Sequence, residues 1–251
     1  MISYGLPAIV CDGVIDVSHH NGAIDWPAVA AAGILLAFIK ATQGVGFLDP
    51  AFARNRGGAL NAGVLVVPYH FLDTADADRQ AGHFLAATAL ADGQPAMIDW
   101  ESAATVSTVV GFGRAVAERT RRNPVAYYGF AQLTQANPTL GCWPLMLPAY
   151  PRGSAPGRYS ALVKRPPRLP PGRPAEWGGA QRPYDFHQYT PAGRVAGIAT
   201  AVDRSVWVGN SAELKAWYAT GALPVVPAPG QPAFAGRPGG DPGNAPAVPA
   251  A

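Results

Sequence analysis

The sequence predicts an α/β barrel, built as β/α units in its first part and mostly as β in its last. Three observations lead there. Apolar, β-rich runs alternate with longer helical patterns from about residue 13 to residue 130. After Phe130 strand-like runs follow one another with little helix between them, and beyond Leu223 the chain is almost wholly Pro, Ala and Gly. The 251 residues, 49% hydrophobic and 14% charged, suffice for one large domain with a substantial core.

The first strand is "GVIDVS" (13–18), followed by the helix "DWPAVAAAG" (25–33), whose Asp-then-Pro start favours helix initiation. "ILLAFIKAT" (34–42) and "VLVVPYHF" (64–71) are strands flanking the helix "DPAFARNRGGALNAG" (49–63). The helix "ADADRQAGHFLAATALADG" (75–93) then leads to the strand "PAMIDWE" (95–101). "TVSTVVGFGRAVAERTRR" (105–122) leads to "PVAYYGF" (124–130). Four successive strand–helix units with apolar strands imply a parallel sheet with helices outside. The later elements are a weak helix "AQLTQANPTL" and the strands "PLMLPAY", "YDFHQYT" and "GIATAVDRSVW". "SAELKAWYATG" (211–221) is a final amphipathic helix. Residues 1–12 read as a lead-in, 13–221 as the barrel, 151–183 as a Pro/Arg-rich loop within it, and 222–251 as a disordered tail.

Composition removes several functions. A net charge of +3 without a dense basic stripe gives no nucleic-acid partner. No run reaches the ~18 apolar residues of a membrane span, so no membrane insertion is expected. The first residues lack a basic n-region and read as no secretory signal, which implies synthesis in the cytoplasm. Cys11 and Cys142 cannot build a disulfide scaffold and read as reduced, buried thiols.

The chemistry concentrates in "MIDWE". Alternation along a strand puts Asp99 and Glu101 on one face and Trp100 on the other, with the two acids' Cα atoms about 6.5–7 Å apart. Proximity and partial burial then raise one carboxyl pKa, giving a protonated acid beside an ionised base, the division of labour that glycosidic cleavage needs. The same spacing also fits a solvated pair bound to arginine. Asp16 and Asp203 each follow apolar residues at another strand end, where a lone acid is more often structural than catalytic. Four acids at four strand ends make a mouth able to stabilise positive charge developing on a sugar ring.

The stretches "GVIDVSHHNGAIDWPAVAAAGILLAFIKATQGVGFLDPAFARN", "AGVLVVPYHF", "MIDWE" and "HQYTPAGRVAGIATAVDRSVW", in this order, resemble glycoside hydrolase family 25, the lysozymes of phage endolysins and bacterial autolysins. The resemblance runs from about Gly13 to Trp207. It implies a distorted TIM-like barrel of the (β/α)5(β)3 type and cleavage of the β-1,4 bond between N-acetylmuramic acid and N-acetylglucosamine in peptidoglycan. By position it makes Glu101 the proton donor, Asp99 its partner, and Asp16 and Asp203 further mouth carboxylates. It places Tyr69, Tyr128, Gln188 and Tyr189 on the substrate groove. No cofactor and no metal are expected, the protein is expected to be a monomer, and without a signal it should reach the wall only after release, an endolysin-like situation. The D-x-E spacing motivates retention through the substrate's own N-acetyl group held by Asp99; the rival is inversion, with Asp99 activating water. A second class is an inactive glycan-binding or virion structural protein on the same barrel. A third, a metal-dependent glycosyltransferase, lacks the Gly-rich nucleotide loop it would need.

The chain departs from the family at Gln43, where glutamate is frequent, and at His187 and Met146, where tryptophan is common. The two latter changes imply lost stacking platforms. Arginines of the 151–183 loop could instead meet peptide-stem carboxylates. His19 and His20 read as loop histidines, Lys40 as a partner of a mouth carboxylate or a substrate contact, and Trp26 and Trp100 as packing residues. "ERTRR" (118–122) reads as a solvated helix end.

Overall fold

The structure, a computed structural model, describes residues 7, 9–133, 143–151, 156–165 and 184–223. Cys142, most of the 151–183 loop and the tail beyond residue 223 lie outside the described residues, so the expectations for them stay untouched. Among the described residues nine strands occur in this order: β1 (Val10–Val17), β2 (Leu36–Gln43), β3 (Phe47–Leu48), β4 (Leu65–Phe71), β5 (Met97–Trp100), β6 (Val125–Tyr128), β7 (Leu145–Pro148), β8 (Phe186–Gly193) and β9 (Val202–Val208). Each neighbouring pair from β1 through β2, β4, β5, β6, β7 to β8 is parallel, and β9 returns antiparallel between β8 and β1. This closes eight strands into a barrel, with the two-residue β3 attached to β2.

Four helices, α1 (Trp26–Ala31), α2 (Phe52–Asn61), α3 (Ala77–Thr88) and α4 (Val106–Thr120), connect the early strands. Three of them start as the sequence requires: the side chains of Asp25, Asp76 and Thr105 each accept a hydrogen bond from a backbone N–H in the first turn. Short helices α5 (Phe130–Leu133) and α6 (Tyr159–Leu162) follow, and α7 (Ser211–Thr220) opens on an Asn210/Glu213 capping box.

Strand alternation sorts the side chains into two cores. Inside the barrel pack Val14, Leu36, Phe38, Val67, Met97, Val125, Met146, Phe186 and Trp207. Between strands and helices pack Ile15, Val17, Ile39, Val66, Ile98, Trp100 and Tyr128, together with Trp26 and Phe112 from the helices. Leu214 and Trp217 of α7 join the inner core, Trp217 meeting the rings of Phe186 and Trp207 at 5.3 and 5.5 Å. The last helix therefore plugs the end of the barrel where the parallel strands begin. Only the opposite mouth can stay open.

Two boundaries differ from the sequence reading. Strand β1 starts at Val10, inside the expected lead-in, because Val10 and Cys11 pair with Val208 and Trp207. Arg122 is buried rather than solvated: it lies over the Trp217 ring at 4.7 Å and donates to the carbonyls of Gly93, Trp217 and Tyr218. A C-terminal guanidinium thus satisfies carbonyls that helix ends leave open.

Candidate active site

At the open mouth lies a cavity of about 190 Å³ whose walls include Asp16, Asp99, Glu101 and Asp203. The barrel register explains the meeting. Asp16 on β1 stands opposite Asp203 on β9, and Asp99 on β5 stands level with Tyr127 on β6. The pleat that sends Val14 and Met97 into the inner core sends Asp16 and Asp99, two residues further along, inward at the rim.

Asp99 is the most enclosed of the acid pair beside Glu101. It is 8% exposed, and its Oδ1 has no hydrogen-bond partner among the described residues. Burial first, and then the charge of Glu101, push its carboxyl well above the usual range, while Lys40 works in the opposite direction. Glu101, just past the end of β5, is exposed at the mouth, yet loss of solvent around its carboxyl raises it too. A long hydrogen bond from the Tyr127 hydroxyl, 3.4 Å, and the charge of Lys40 hold that rise back. Both acids therefore titrate upward, where the spacing had implied only one.

Asp16 and Asp203 form a second coupled pair. Burial raises both, Asp16 more strongly, and the pair shares a proton in a hydrogen bond between the two carboxyls. Gln188 Nε2 also donates to Asp16 Oδ2 at 2.9 Å. The Gln188 Oε1 accepts from two phenols, Tyr127 at 3.0 Å and Tyr150 at 2.5 Å. One amide thus ties the Asp16–Asp203 pair to Tyr127 and, through it, to Glu101.

Tyr69 and Gln188 line the cavity. Tyr128 and Tyr189 do not. Tyr128 points to the outer core and meets the Trp100 ring edge-on at 5.4 Å. Tyr189 packs under α6 against Tyr159, its hydroxyl donating to Asp12 Oδ1 at 2.8 Å. Two further phenols reach the site, Tyr127 and Tyr150, which sequence reading missed. Neighbours on a strand face opposite ways, so Gln188 and Tyr189 could never both face inward. That signal was available. Met146 is an inner-core residue, and His187 is buried on the outer face with its Nε2 2.7 Å from the Ala149 carbonyl oxygen. Neither position touches the cavity, so neither change removes a stacking platform from it.

Lys40 is half-buried on β2. Its ammonium donates to Gln43 Oε1 at 2.8 Å and sits 4.9 Å from the centre of the Phe71 ring. His19 pairs with the buried Asp49 at 2.7 Å, which fixes the loop after β1.

The family model for glycosyl hydrolases family 25 matches residues 15–198, which hold three of the four mouth carboxylates. The chain belongs to that family. Lysozyme M1 of Streptomyces globisporus is 31% identical over 80% of this chain and 69% of its own. A bacterial lysozyme from Streptomyces coelicolor superposes with a TM-score of 0.67 at 26% identity, covering 81% of this chain and 95% of that one. A family 25 glycosyl hydrolase from Bacillus anthracis, 21% identical, shares the fold with a TM-score of 0.64 over 81% of this chain and 92% of that one. This family 25 protein is thus a lysozyme-type glycoside hydrolase. Among its described residues no helix is long and apolar enough to cross a membrane.

Proposed function

We propose that this protein cuts the β-1,4 bond between N-acetylmuramic acid and N-acetylglucosamine in bacterial peptidoglycan, with retention of configuration. The observation that carries the reading is the buried, unpartnered Oδ1 of Asp99 beside Glu101 in the mouth cavity. A buried acceptor without a donor is costly, and a substrate acetamido N–H is a donor of the right kind to fill it. In this reading Asp99 accepts that N–H and turns the acetyl oxygen toward the anomeric carbon. The oxygen attacks, the glycosidic bond breaks, and Glu101 gives its proton to the departing oxygen. Glu101 then takes a proton from water, which opens the cyclic intermediate from the face the leaving group occupied.

Asp16 and Asp203 hold negative charge at the rim and orient the sugar. Tyr69, Tyr127, Tyr150 and Gln188 supply hydroxyl and amide contacts. The reading takes the enzyme as a monomer, which size-exclusion chromatography of the full chain tests. The place of action is then the cell wall, reached after synthesis in the cytoplasm; fractionation of an expressing host tests this.

NMR of the first-formed anomer tests the stereochemistry: β product is expected, and α product overturns retention. Mass spectrometry of digested wall tests the bond, with N-acetylmuramic acid expected at the reducing end. Glu101→Gln is expected to slow wall clearing about 10²–10⁴-fold, the range of a lost general acid. Equal clearing by both proteins would remove Glu101 from its role. Wall binding without any clearing by the unaltered chain would turn the protein into a glycan-binding module.

A further inference from the structure

Strand β9 carries two sites on its two faces. Asp203 faces the mouth cavity, and the next residue, Arg204, faces outward into a separate pocket of about 330 Å³ on the barrel flank. That pocket is formed where the end of α1, the β8–β9 connection and the segment before α6 come together, and Arg158 and Arg194 line it with Arg204.

Three guanidinium groups around one pocket need anions, and the protein supplies few. Arg204 is 9% exposed, and its Nη2 donates to Asp12 Oδ1 at 3.0 Å and to the Asp12 carbonyl at 3.2 Å. Its Nε is buried and has no acceptor among the described residues. Among the described residues Asp12 is the sole carboxylate paired with it there, and it is already committed: Oδ1 also accepts from the Tyr189 hydroxyl and Oδ2 from the Tyr159 N–H. Arg194 has one long bond, 3.4 Å, to the Ala199 carbonyl. Arg158 is exposed and makes no side-chain hydrogen bond among the described residues. Gly193 lets the Arg204 stem lie against β8, because a Cβ there would lie 2.5 Å from Arg204 Cγ.

We propose that this flank pocket is an oxyanion-binding site that takes a carboxylate- or phosphate-class group. Arg204 is its fixed, buried donor, and Arg158 and Arg194 close on the anion from the rim. Planar guanidinium donors match both oxyanions. The cell wall offers both sources, stem-peptide carboxylates and wall phosphate polymers. Assigning the anion to the wall rests on the proposed reaction; the site itself does not.

The test has two parts. In the full chain, the Arg204 Nε–H resonance is followed while sodium phosphate or sodium acetate is added at constant ionic strength. A saturable shift, abolished in an Arg158→Ala/Arg194→Ala variant with an unchanged melting temperature, is expected; no saturable shift with either anion overturns the site. Wall binding is then measured in the Glu101→Gln background, with and without the two arginine changes. The double change should weaken binding about tenfold at low salt, as expected for lost charge-assisted hydrogen bonds. Loss of that difference on walls whose stem carboxyls are amidated assigns the carboxylate source, and its loss on walls stripped of phosphate polymers assigns the phosphate source. Equal binding with and without the arginines, on every wall, overturns the wall assignment. If the unaltered chain releases no sugar product, the proposed reaction fails while the anion titration still decides the site.

Discussion

Asp16 on β1 and Asp203 on β9 stand directly opposite each other across an antiparallel strand pair, and the two carboxyls share a proton. Two acids so placed cannot both ionise cheaply. The folded state holds a proton there at pH values where the unfolded chain, with ordinary aspartate pKa values near 3.9, has lost it. Stability from this pair is therefore full below about pH 4 and drains away as pH rises through the raised folded values.

Asp203→Asn is accordingly expected to stabilise the protein by about 1–2 kcal/mol at pH 7 and by nearly nothing near pH 4. The buried His70 and His187, held down to about 4 by burial, pull stability the other way over the same range. They cancel in the difference between variant and parent. Melting curves at pH 4, 5, 6 and 7 check it; a stability gain that shrinks with rising pH would refute the shared-proton account. Wall-clearing activity should fall, because the acidic rim is lost.

Lys40 sets where the pair of Asp99 and Glu101 titrates. Its charge lowers both carboxyls, and its hydrogen-bond partner Gln43 is neutral, so no local carboxylate bonded to it cancels that charge. Lys40→Met should raise both acids and move the whole bell-shaped kcat/KM profile to higher pH. Gln43→Glu should move it the same way by offsetting the ammonium. Lys40→Arg should leave it near its original place. A profile that stays put, or moves down, in Lys40→Met would disprove this coupling.

Tyr127 has one hydroxyl proton and two acceptors, Gln188 Oε1 at 3.0 Å and Glu101 Oε1 at 3.4 Å. The nearer amide holds it while Glu101 is protonated; an ionised Glu101 competes for it more strongly. Tyr127→Phe should therefore slow kcat by about five- to tenfold, the worth of one hydrogen bond, and shift the alkaline limb upward. Tyr128→Phe, whose ring lies in the outer core, should change neither quantity. Steady-state pH profiles of the two variants separate the neighbours. An alkaline limb unmoved in Tyr127→Phe would take this tyrosine out of the acid's environment.

The adjacent tyrosines also show where sequence reading stops. "AYY" marks a strand, and alternation says that one tyrosine faces in and the other out. Which one does depends on register, and a one-residue shift exchanges the faces. The pairing of Asp99 with Tyr127 decides it. At Gln188 and Tyr189 the sequence did hold the answer, since neighbouring residues cannot share a face. Tyr150 was legible too: it ends the expected strand "PLMLPAY" on the face of the inner-core Met146, and it lines the cavity although β7 itself stops at Pro148. The short β3 and α6 were missed for a different reason, being two and four residues long and held by tertiary contacts instead of their own periodicity.

The amino-acid order alone determined the alternating strands and helices, the inward pair Asp99 and Glu101, and the acids Asp16 and Asp203 at strand ends. Those features are local: period-two alternation, capping residues and apolar runs are written in consecutive residues. Barrel closure decided the rest. It set Asp16 against Asp203, chose Tyr127 over Tyr128, tied both acid pairs together through Gln188, and turned Arg204 out to a flank where three guanidinium groups meet. Distances between residues nearly two hundred positions apart depend on strand register and shear, which no short window of sequence encodes.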